Sequence, residues 1–182
     1  MKNVLILHGT DNNSQKHWFP WLKKELEKRG YNVWVPDLPH ADKPNIERYN
    51  AFIFPRWEFT NETIIVGHSS GSVAILGILE HLPKNRVINK AILVAGFTDD
   101  LDYDAVKEMF VKPFDWKKIK TKAKKFVLFH SDDDPYVPLW HGEKLKKYLQ
   151  GELIIMKGQK HFSTTTAPGY KKFPAVLEKI LE

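Results

Sequence analysis

The pentapeptide GHSSG at residues 67–71 contains two adjacent serines with hydroxyl groups that could act as nucleophiles in acyl transfer. It follows the apolar run TIIV and precedes the apolar stretch SVAILGILEHLP, so the sequence places it between a strand and a buried helix. The pattern G-x-S-x-G in that setting is typical of a nucleophile elbow, a sharp turn that exposes the central serine. The central serine is Ser69. The alternative is that Ser69 only caps the helix.

A serine nucleophile needs a base to take its proton, and after a nucleophile elbow the partners follow in the order serine, acid, histidine. His161, in GQKHF, follows every acid candidate and comes directly after a predicted strand. His141 also follows the acids, but we expect it to be a surface residue within a helix. His130 is expected to pack at the end of its own strand, and the five other histidines precede or adjoin the serine. His161 is therefore the predicted base.

The acid that orients this histidine is less sharply defined, because aspartates follow two predicted strands. The candidates are Asp99, Asp100, Asp132, Asp133 and Asp134. The acid must accept a hydrogen bond from the imidazole Nδ1. Pro135 restricts the residue before it to an extended conformation, which fixes the direction of Asp134. We predict Asp134 as the acid and expect its neighbours to cap the next helix or face solvent.

An oxyanion hole needs two backbone N–H donors. One is expected from Ser70, directly after the nucleophile, and the other from Thr10 in the loop HGTDNN after the first predicted strand. Gly9 in that loop has no side chain to keep the backbone away from a substrate carbonyl. Phosphate binding by the same loop is not favoured, because neither G-x-G-x-x-G nor a P-loop lysine is present.

These groups all lie at the ends of predicted strands. Six nearly continuous apolar runs read as strands covered on both faces: NVLILHG, YNVWVPD, TIIVGHS, KAILVAGF, KFVLFHSD and ELIIMKG. Stretches of helical spacing alternate with them: SQKHWFPWLKKELEKRG, SVAILGILEHLP, LWHGEKLKKYLQG and YKKFPAVLEKILE. We predict one α/β domain over residues 1–182, with a mostly parallel sheet of about six strands and helices on both faces.

Composition excludes several classes of function. The 182 residues contain no cysteine, which excludes disulfides, a thiol nucleophile and cysteine-ligated zinc. The apolar runs are too short for a membrane helix, and the start of the sequence lacks a secretory signal, so we expect a cytoplasmic protein. The net charge of +6 raises the possibility of nucleic-acid binding through the seven lysines of residues 112–125. Those lysines lack interleaved arginines or stacking aromatics, so we favour a solvated helix face leading into a buried strand.

The sequence resembles the small serine hydrolases of the retinoblastoma-binding-protein-nine and YdeN family, which are compact α/β-hydrolases. The resemblance covers nearly the whole chain and includes HWFPWLKKELEKRG, TIIVGHSSG, FVKPFDWKKIK, SDDDPYVPLW and GQKHF. It implies a triad of Ser69, Asp134 and His161, with no metal and no cofactor. Some relatives have a glycine-rich first loop where this chain has HGTDNN. The retinoblastoma-binding motif Leu-x-Cys-x-Glu cannot occur without cysteine, so a pocket-protein partner is not implied.

We therefore predict a serine hydrolase that cleaves a small carboxylic ester or amide through an acyl-enzyme. The alternative is a protein-interaction module that retains an unused triad. Only 28 residues separate Phe97 from Phe126, too few for a separate cap domain. Within that segment Phe110, Phe114 and Trp116 either line an acyl pocket or cover the sheet. The partner is expected to be a small molecule, neither nucleic acid nor membrane.

Overall fold

The computed structural model describes residues 2–182 and contains a six-stranded sheet in the order β2-β1-β3-β4-β5-β6. The strands in chain order are β1 (Asn3–Leu7), β2 (Asn32–Trp34), β3 (Thr63–His68), β4 (Ile88–Val94), β5 (Ala123–Ser131) and β6 (Glu152–Met156). Every neighbouring pair is parallel. The predicted number of strands and their parallel arrangement are confirmed.

Six α-helices and one 3-10 helix connect the strands. They are α1 (Phe19–Glu27), α2 (Ile46–Ile53), α3 (Ser70–His81), the 3-10 helix Asp104–Phe110, α4 (Trp116–Ile119), α5 (Trp140–Leu149) and α6 (Pro174–Leu181). Four of them match the predicted helical stretches. The sequence prediction missed α2, which begins after Asn45, whose side chain accepts a hydrogen bond from the Arg48 N–H. The segment between β4 and β5 holds only the 3-10 helix and α4.

Alternate residues of the strands enter two separate cores, one on each face of the sheet. In β1, Val4 and Ile6 pack with apolar residues of α1 and α6. Leu5 and Leu7 point to the opposite face, where they pack with residues of α2, α3 and α5. This distribution follows from the period of two along a strand, and it explains why the predicted strands are apolar throughout.

The strand order reverses direction between β1 and β3. From β1 the chain moves outward to β2, and it then returns to the other side of β1 to form β3 and the remaining strands. A parallel sheet opens a crevice beyond the carboxyl ends of its strands at such a switch point. Ser69 directly follows β3, and Gly9 lies two residues after β1. The fold therefore brings the serine and the predicted oxyanion loop to the same crevice.

The lysine-rich stretch of residues 112–125 forms α4 and the first residues of β5. Most of its lysines are exposed, whereas the Lys122 ammonium is buried and donates to the carbonyls of Pro83 and Lys84. One lysine of the stretch therefore binds backbone carbonyl groups instead of facing solvent. As to membranes, no helix within residues 2–182 combines the length and the apolar character needed to cross a bilayer.

Candidate active site

Ser69 occupies the turn between β3 and α3 and has a strained backbone. Its φ of 55° and ψ of −124° lie in a region that residues with a side chain rarely adopt. The surrounding hydrogen bonds hold this conformation, because the Ser69 N–H donates to the Val94 carbonyl over 2.9 Å. The Ser72 hydroxyl donates to the carbonyls of both Gly67 and Val94. The strain therefore lies at a residue that lines the crevice.

The two glycines of GHSSG are required by close backbone approach. A Cβ on Gly67 would lie 2.4 Å from the Gly71 carbonyl oxygen. A Cβ on Gly71 would lie 2.4 Å from the Leu7 carbonyl oxygen and 2.6 Å from that of His8. Helix α3 thus begins in direct contact with β1 and β3, and its N-terminus, with its partial positive charge, lies beside Ser69.

A hydrogen bond joins the side chains of His161 and Asp134. The His161 Nδ1 lies 2.8 Å from Asp134 Oδ2, and the two side chains are 8% and 1% exposed. The other carboxylate oxygen, Oδ1, accepts hydrogen bonds from the N–H groups of Tyr136 and Val137. These contacts fix the carboxylate, which in turn fixes the tautomer and orientation of the imidazole so that Nε2 is the basic nitrogen.

The other two aspartates of the run bind the loop that carries His161. Asp132 accepts a hydrogen bond from the Gly158 N–H, and Asp133 accepts from the Lys160 N–H. Asp133 also pairs with the Lys160 ammonium at 2.8 Å, and this contact lowers the pKa of its carboxyl group to about 2. Asp132 is exposed, as expected, and Asp133 is partly exposed. Neither caps the next helix, since both carboxylates tie β5 to the loop after β6.

The loop after β1 lies against Ser69. A Cβ on Gly9 would be 3.0 Å from Ser69 Cβ, and the Thr10 hydroxyl donates to Ser70 Oγ over 2.9 Å. The imidazole of His8 contacts the Gly9 carbonyl through Nδ1 and accepts the Leu38 N–H at Nε2. Because Nε2 accepts, Nδ1 carries the proton and donates it to Gly9, and burial lowers the pKa of His8.

A cavity of about 770 Å³ opens at this crevice and is lined by Ser69 and His161. Thr10, Asp11, Asn12, Ser163 and Thr165 contribute polar groups to its wall, and Phe97, Leu101, Val106, Tyr136 and Val137 contribute apolar groups. The cavity thus brings the predicted nucleophile, base and oxyanion loop to one space.

The sequence left two roles open for Phe110, Phe114 and Trp116, which were to line an acyl pocket or to cover the sheet, and the structure contradicts the first. None of the three borders the cavity of Ser69. Phe114 borders a smaller cavity of about 300 Å³ beside α2 and α3, and Trp116 stacks on Tyr148. All three pack against the core on that face of the sheet, which is the other role that the sequence left open. The apolar residues of the cavity wall come instead from the segment directly after β4 and from Tyr136 and Val137 after β5.

The sequence did not indicate the roles of two further histidines that line the cavity. His68, in the elbow itself, is 1% exposed, and its Nε2 lies 2.7 Å from the His161 carbonyl oxygen, to which it donates. His17 contacts the Asn12 amide through Nε2 and Thr164 through Nδ1. Burial lowers the pKa of both imidazoles, that of His17 to about 4, and the nearby His161 acts in the same direction. Both imidazoles are therefore neutral neighbours of His161.

Two histidines outside the cavity were also assigned a place from the sequence. His130 is buried at the end of β5, as expected. His141 is buried as well, and its Nδ1 accepts the Thr98 N–H. The expectation that it is a surface residue of α5 is wrong, because it lies on the buried face of that helix with Leu145 and Leu149.

Comparison with known proteins places this geometry in a family. The model of a family described as serine hydrolase matches residues 4–182. YdeN of Bacillus subtilis (strain 168) is 31% identical over 179 residues, which cover 97% of this chain and 93% of YdeN. The crystal structure of the B. subtilis ydeN gene product has a TM-score of 0.92 and covers 100% of this chain, which itself covers 97% of that structure.

More distant proteins are also similar to this chain in sequence or in fold. Serine hydrolase RBBP9 of Rattus norvegicus is 27% identical over 151 residues, which cover 81% of this chain and 79% of RBBP9. A pyrethroid hydrolase from Sphingobium faniae JZ-2 has a TM-score of 0.68 at 17% identity over 99% of this chain and 96% of its own, a likeness of fold alone. The resemblance stated from the sequence is confirmed: this chain has the α/β-hydrolase fold and belongs to the serine hydrolase family.

Proposed function

We propose that the protein hydrolyses a small carboxylic ester, or an amide, through a triad of Ser69, His161 and Asp134 and a covalent acyl-enzyme. The observation that carries the proposal is the meeting of two features in one cavity. One is a strained serine at the start of α3, and the other is a histidine with its Nδ1 bound to a buried carboxylate. Nothing in a purely structural turn requires both.

In the proposed reaction, His161 Nε2 takes the proton of the Ser69 hydroxyl as the oxygen attacks the substrate carbonyl. The Asp134 carboxylate stabilises the imidazolium that forms. The C–O or C–N bond to the leaving group then breaks, and His161 returns the proton to the departing oxygen or nitrogen. Water, activated by the same histidine, attacks the Ser69 ester, which releases the acid and restores the serine hydroxyl.

The proposed oxyanion donors are the N–H groups of Ser70 and Thr10. A peptide group is planar, and its C=O and N–H point in opposite directions. Since the His8 imidazole binds the Gly9 carbonyl, the Thr10 N–H of the same peptide points away from His8. The Thr10 hydroxyl, bound to Ser70 Oγ, holds this loop on the first turn of α3. His8 and the Thr10 side chain are thus proposed to position one donor and not to contact the substrate.

Reaction with a fluorophosphonate probe tests the proposal and separates it from an interaction module with an unused triad. We expect the wild-type protein to be labelled covalently at Ser69 and the Ser69→Ala variant to be unlabelled. Ser70→Ala is the matched control, because it removes the neighbouring hydroxyl and keeps the backbone N–H. Labelling of Ser69→Ala at Ser70 would place the nucleophile one residue further on, and an unlabelled wild-type protein would favour the interaction module.

A further inference from the structure

The two sides of the cavity around Ser69 differ in chemistry. Phe97, Leu101 and Val106, which follow β4, give one side its apolar surface, and Asp102 and Tyr103 of the same segment also border the cavity. We call this side the apolar wall. Asn12 and Thr165 belong to a polar wall made by the loops after β1 and β6. If the proposed function holds, His161 gives its proton to the leaving group, so the leaving group lies on the side of the His161 loop, which is the polar wall. The acyl group then lies against the apolar wall.

His17 connects the two loops that make the polar wall. Its side chain is buried in the loop after β1, and it contacts a residue 147 positions away, Thr164, in the loop after β6. The Thr164 N–H donates to Nδ1 over 3.0 Å, and the Thr164 hydroxyl lies 2.9 Å from the same atom. On its other side, Nε2 lies 2.8 Å from Nδ2 of the Asn12 side-chain amide. The backbone of His17 has a φ of 54°, a left-handed conformation that the contacts at both ends maintain.

These contacts determine the direction of the Asn12 amide. A backbone N–H can only donate, so Nδ1 of His17 is the acceptor and carries no proton. Burial keeps the imidazole neutral by lowering its pKa to about 4, and its one proton is therefore on Nε2. Nε2–H can pair only with an acceptor, whereas the structure places Nδ2 of Asn12 at this position. We therefore assign the amide with its two terminal atoms exchanged, so that the oxygen accepts from Nε2–H and the NH2 group is turned away from His17.

We propose that Asn12, oriented by His17, donates a hydrogen bond from this NH2 group to an acceptor oxygen in the leaving group of the substrate. This inference rests on the proposed function and makes it more specific. The preferred substrate joins a short apolar acyl group to a leaving group that carries a second hydrogen-bond acceptor beyond the scissile bond. His17 is a positioning residue, because it acts on the substrate only through Asn12.

Two pairs of esters that exchange one CH2 group for an ether oxygen test the proposal. The leaving-group pair is 2-methoxyethyl butanoate and butyl butanoate, and the acyl pair is propyl methoxyacetate and propyl butanoate. An ether oxygen accepts hydrogen bonds but cannot donate, so it probes the NH2 group alone. The measured quantity is the ratio of kcat/KM within each pair, compared between variant and wild type, which cancels the intrinsic reactivity of the esters.

For Asn12→Asp, which keeps an acceptor for His17 but removes the donor, we expect the leaving-group ratio to fall about three- to tenfold relative to wild type, as for the loss of one hydrogen bond. Asn12→Leu should lower it similarly. In His17→Asn the asparagine side chain is too short to contact both loops, so this variant should lower the same ratio. The double variant His17→Asn with Asn12→Leu should lower the ratio no further than the single variants. Asn13→Asp is the control, since it makes the same chemical change one residue outside the cavity wall.

Each other outcome contradicts a defined part of the argument. An unchanged leaving-group ratio in both Asn12 variants would overturn the proposed donor. A fall in the acyl ratio instead would overturn the assignment of the polar wall to the leaving group. Additive effects in the double variant would remove the positioning role of His17. Fluorophosphonate labelling of each protein is measured in parallel, and a wild type that neither reacts nor hydrolyses any of the esters would overturn the proposed function itself.

Discussion

The buried histidines predict that the protein loses stability as the pH falls below neutrality. Burial lowers the pKa values of His17 and His130 from 6.5 to about 4 and also lowers those of His8, His68 and His141. Below pH 6.5 the unfolded chain takes up protons at these residues that the folded chain does not. The stability that they contribute is therefore complete above pH 6.5 and is lost as the pH falls from 6.5 towards 4.

The size of the effect follows from the lowered pKa values of His17 and His130. For a group that titrates at 6.5 when unfolded and at about 4 when folded, lowering the pH from 7 to 5 costs about 2 kcal/mol. His17 and His130 together cost about 4 kcal/mol, and the other three add to the loss in the same direction. Domains are stable by only about 5–15 kcal/mol, so the loss is a large fraction of the total. It corresponds to a fall in Tm of about 8–16 °C for a protein of this size.

Urea unfolding followed by tryptophan fluorescence at pH 7, 6 and 5 measures this loss. His130→Leu supplies the decisive variant, because both ring nitrogens of His130 are buried without a hydrogen-bond partner among residues 2–182. That variant should lose about 2 kcal/mol less than wild type between pH 7 and pH 5. His40→Asn, which removes an exposed histidine, should behave as wild type. Equal stability at pH 7 and 5, or an unaltered loss in His130→Leu, would refute the reasoning.

Two pairs of substitutions probe the site more directly. Asp134→Asn should lower the turnover of a simple ester by about 10⁴ without unfolding the protein, because it removes the anion that selects the His161 tautomer. Asp133→Asn should stay within about tenfold of wild type, since Asp133 holds the loop and not the imidazole. Gly71→Ala should cost about 3 kcal/mol or more in urea unfolding, because its Cβ would meet the Leu7 carbonyl oxygen at 2.4 Å. Gly169→Ala, with open space around the added Cβ, is the control and should stay within about 0.5 kcal/mol.

These two predictions have distinct contrary outcomes. If Asp133→Asn is inactive while Asp134→Asn retains its turnover, the acid of the triad is misplaced, although the roles proposed for Ser69 and His161 would stand. If the Gly71→Ala protein is as stable as the Gly169→Ala protein, the close approach of α3 to β1 does not exclude a side chain at position 71.

The order of groups along the chain was enough to indicate how the site is built. Ser69 was recognisable because an elbow needs glycines at fixed offsets and a strand before it, both of which are local features. His161 followed from chain order, because a parallel sheet brings the carboxyl ends of all its strands to one edge. The six strands were visible as apolar runs because helices cover both faces of the sheet. Helix α2 was missed although Asn45, its N-cap, was a readable signal.

The role of His17 could not be predicted, because its partner Thr164 is 147 residues away and neither belongs to a motif. The sequence could not show which apolar residues of the segment after β4 line the cavity. Phe110 and Leu101 both pack against the same core, and nothing local indicates that Leu101 borders the cavity and Phe110 does not. The burial of His141, by contrast, could have been predicted from the sequence. Its spacing from Leu145 and Leu149 places the three side chains on one face of a helix.

The acid sensitivity and the proposed catalysis share one physical cause. His68 lies 4.8 Å from His161 between ring centroids, and His17 lies 5.6 Å from His68. A positive charge on His68 would oppose the imidazolium that His161 must form during proton transfer, by about 3 kcal/mol at an effective dielectric constant of about 20. Burial keeps both neighbours neutral and removes this repulsion. The same burial makes protonation favour the unfolded chain, so the predicted loss of stability in acid is the consequence of surrounding His161 with uncharged imidazoles.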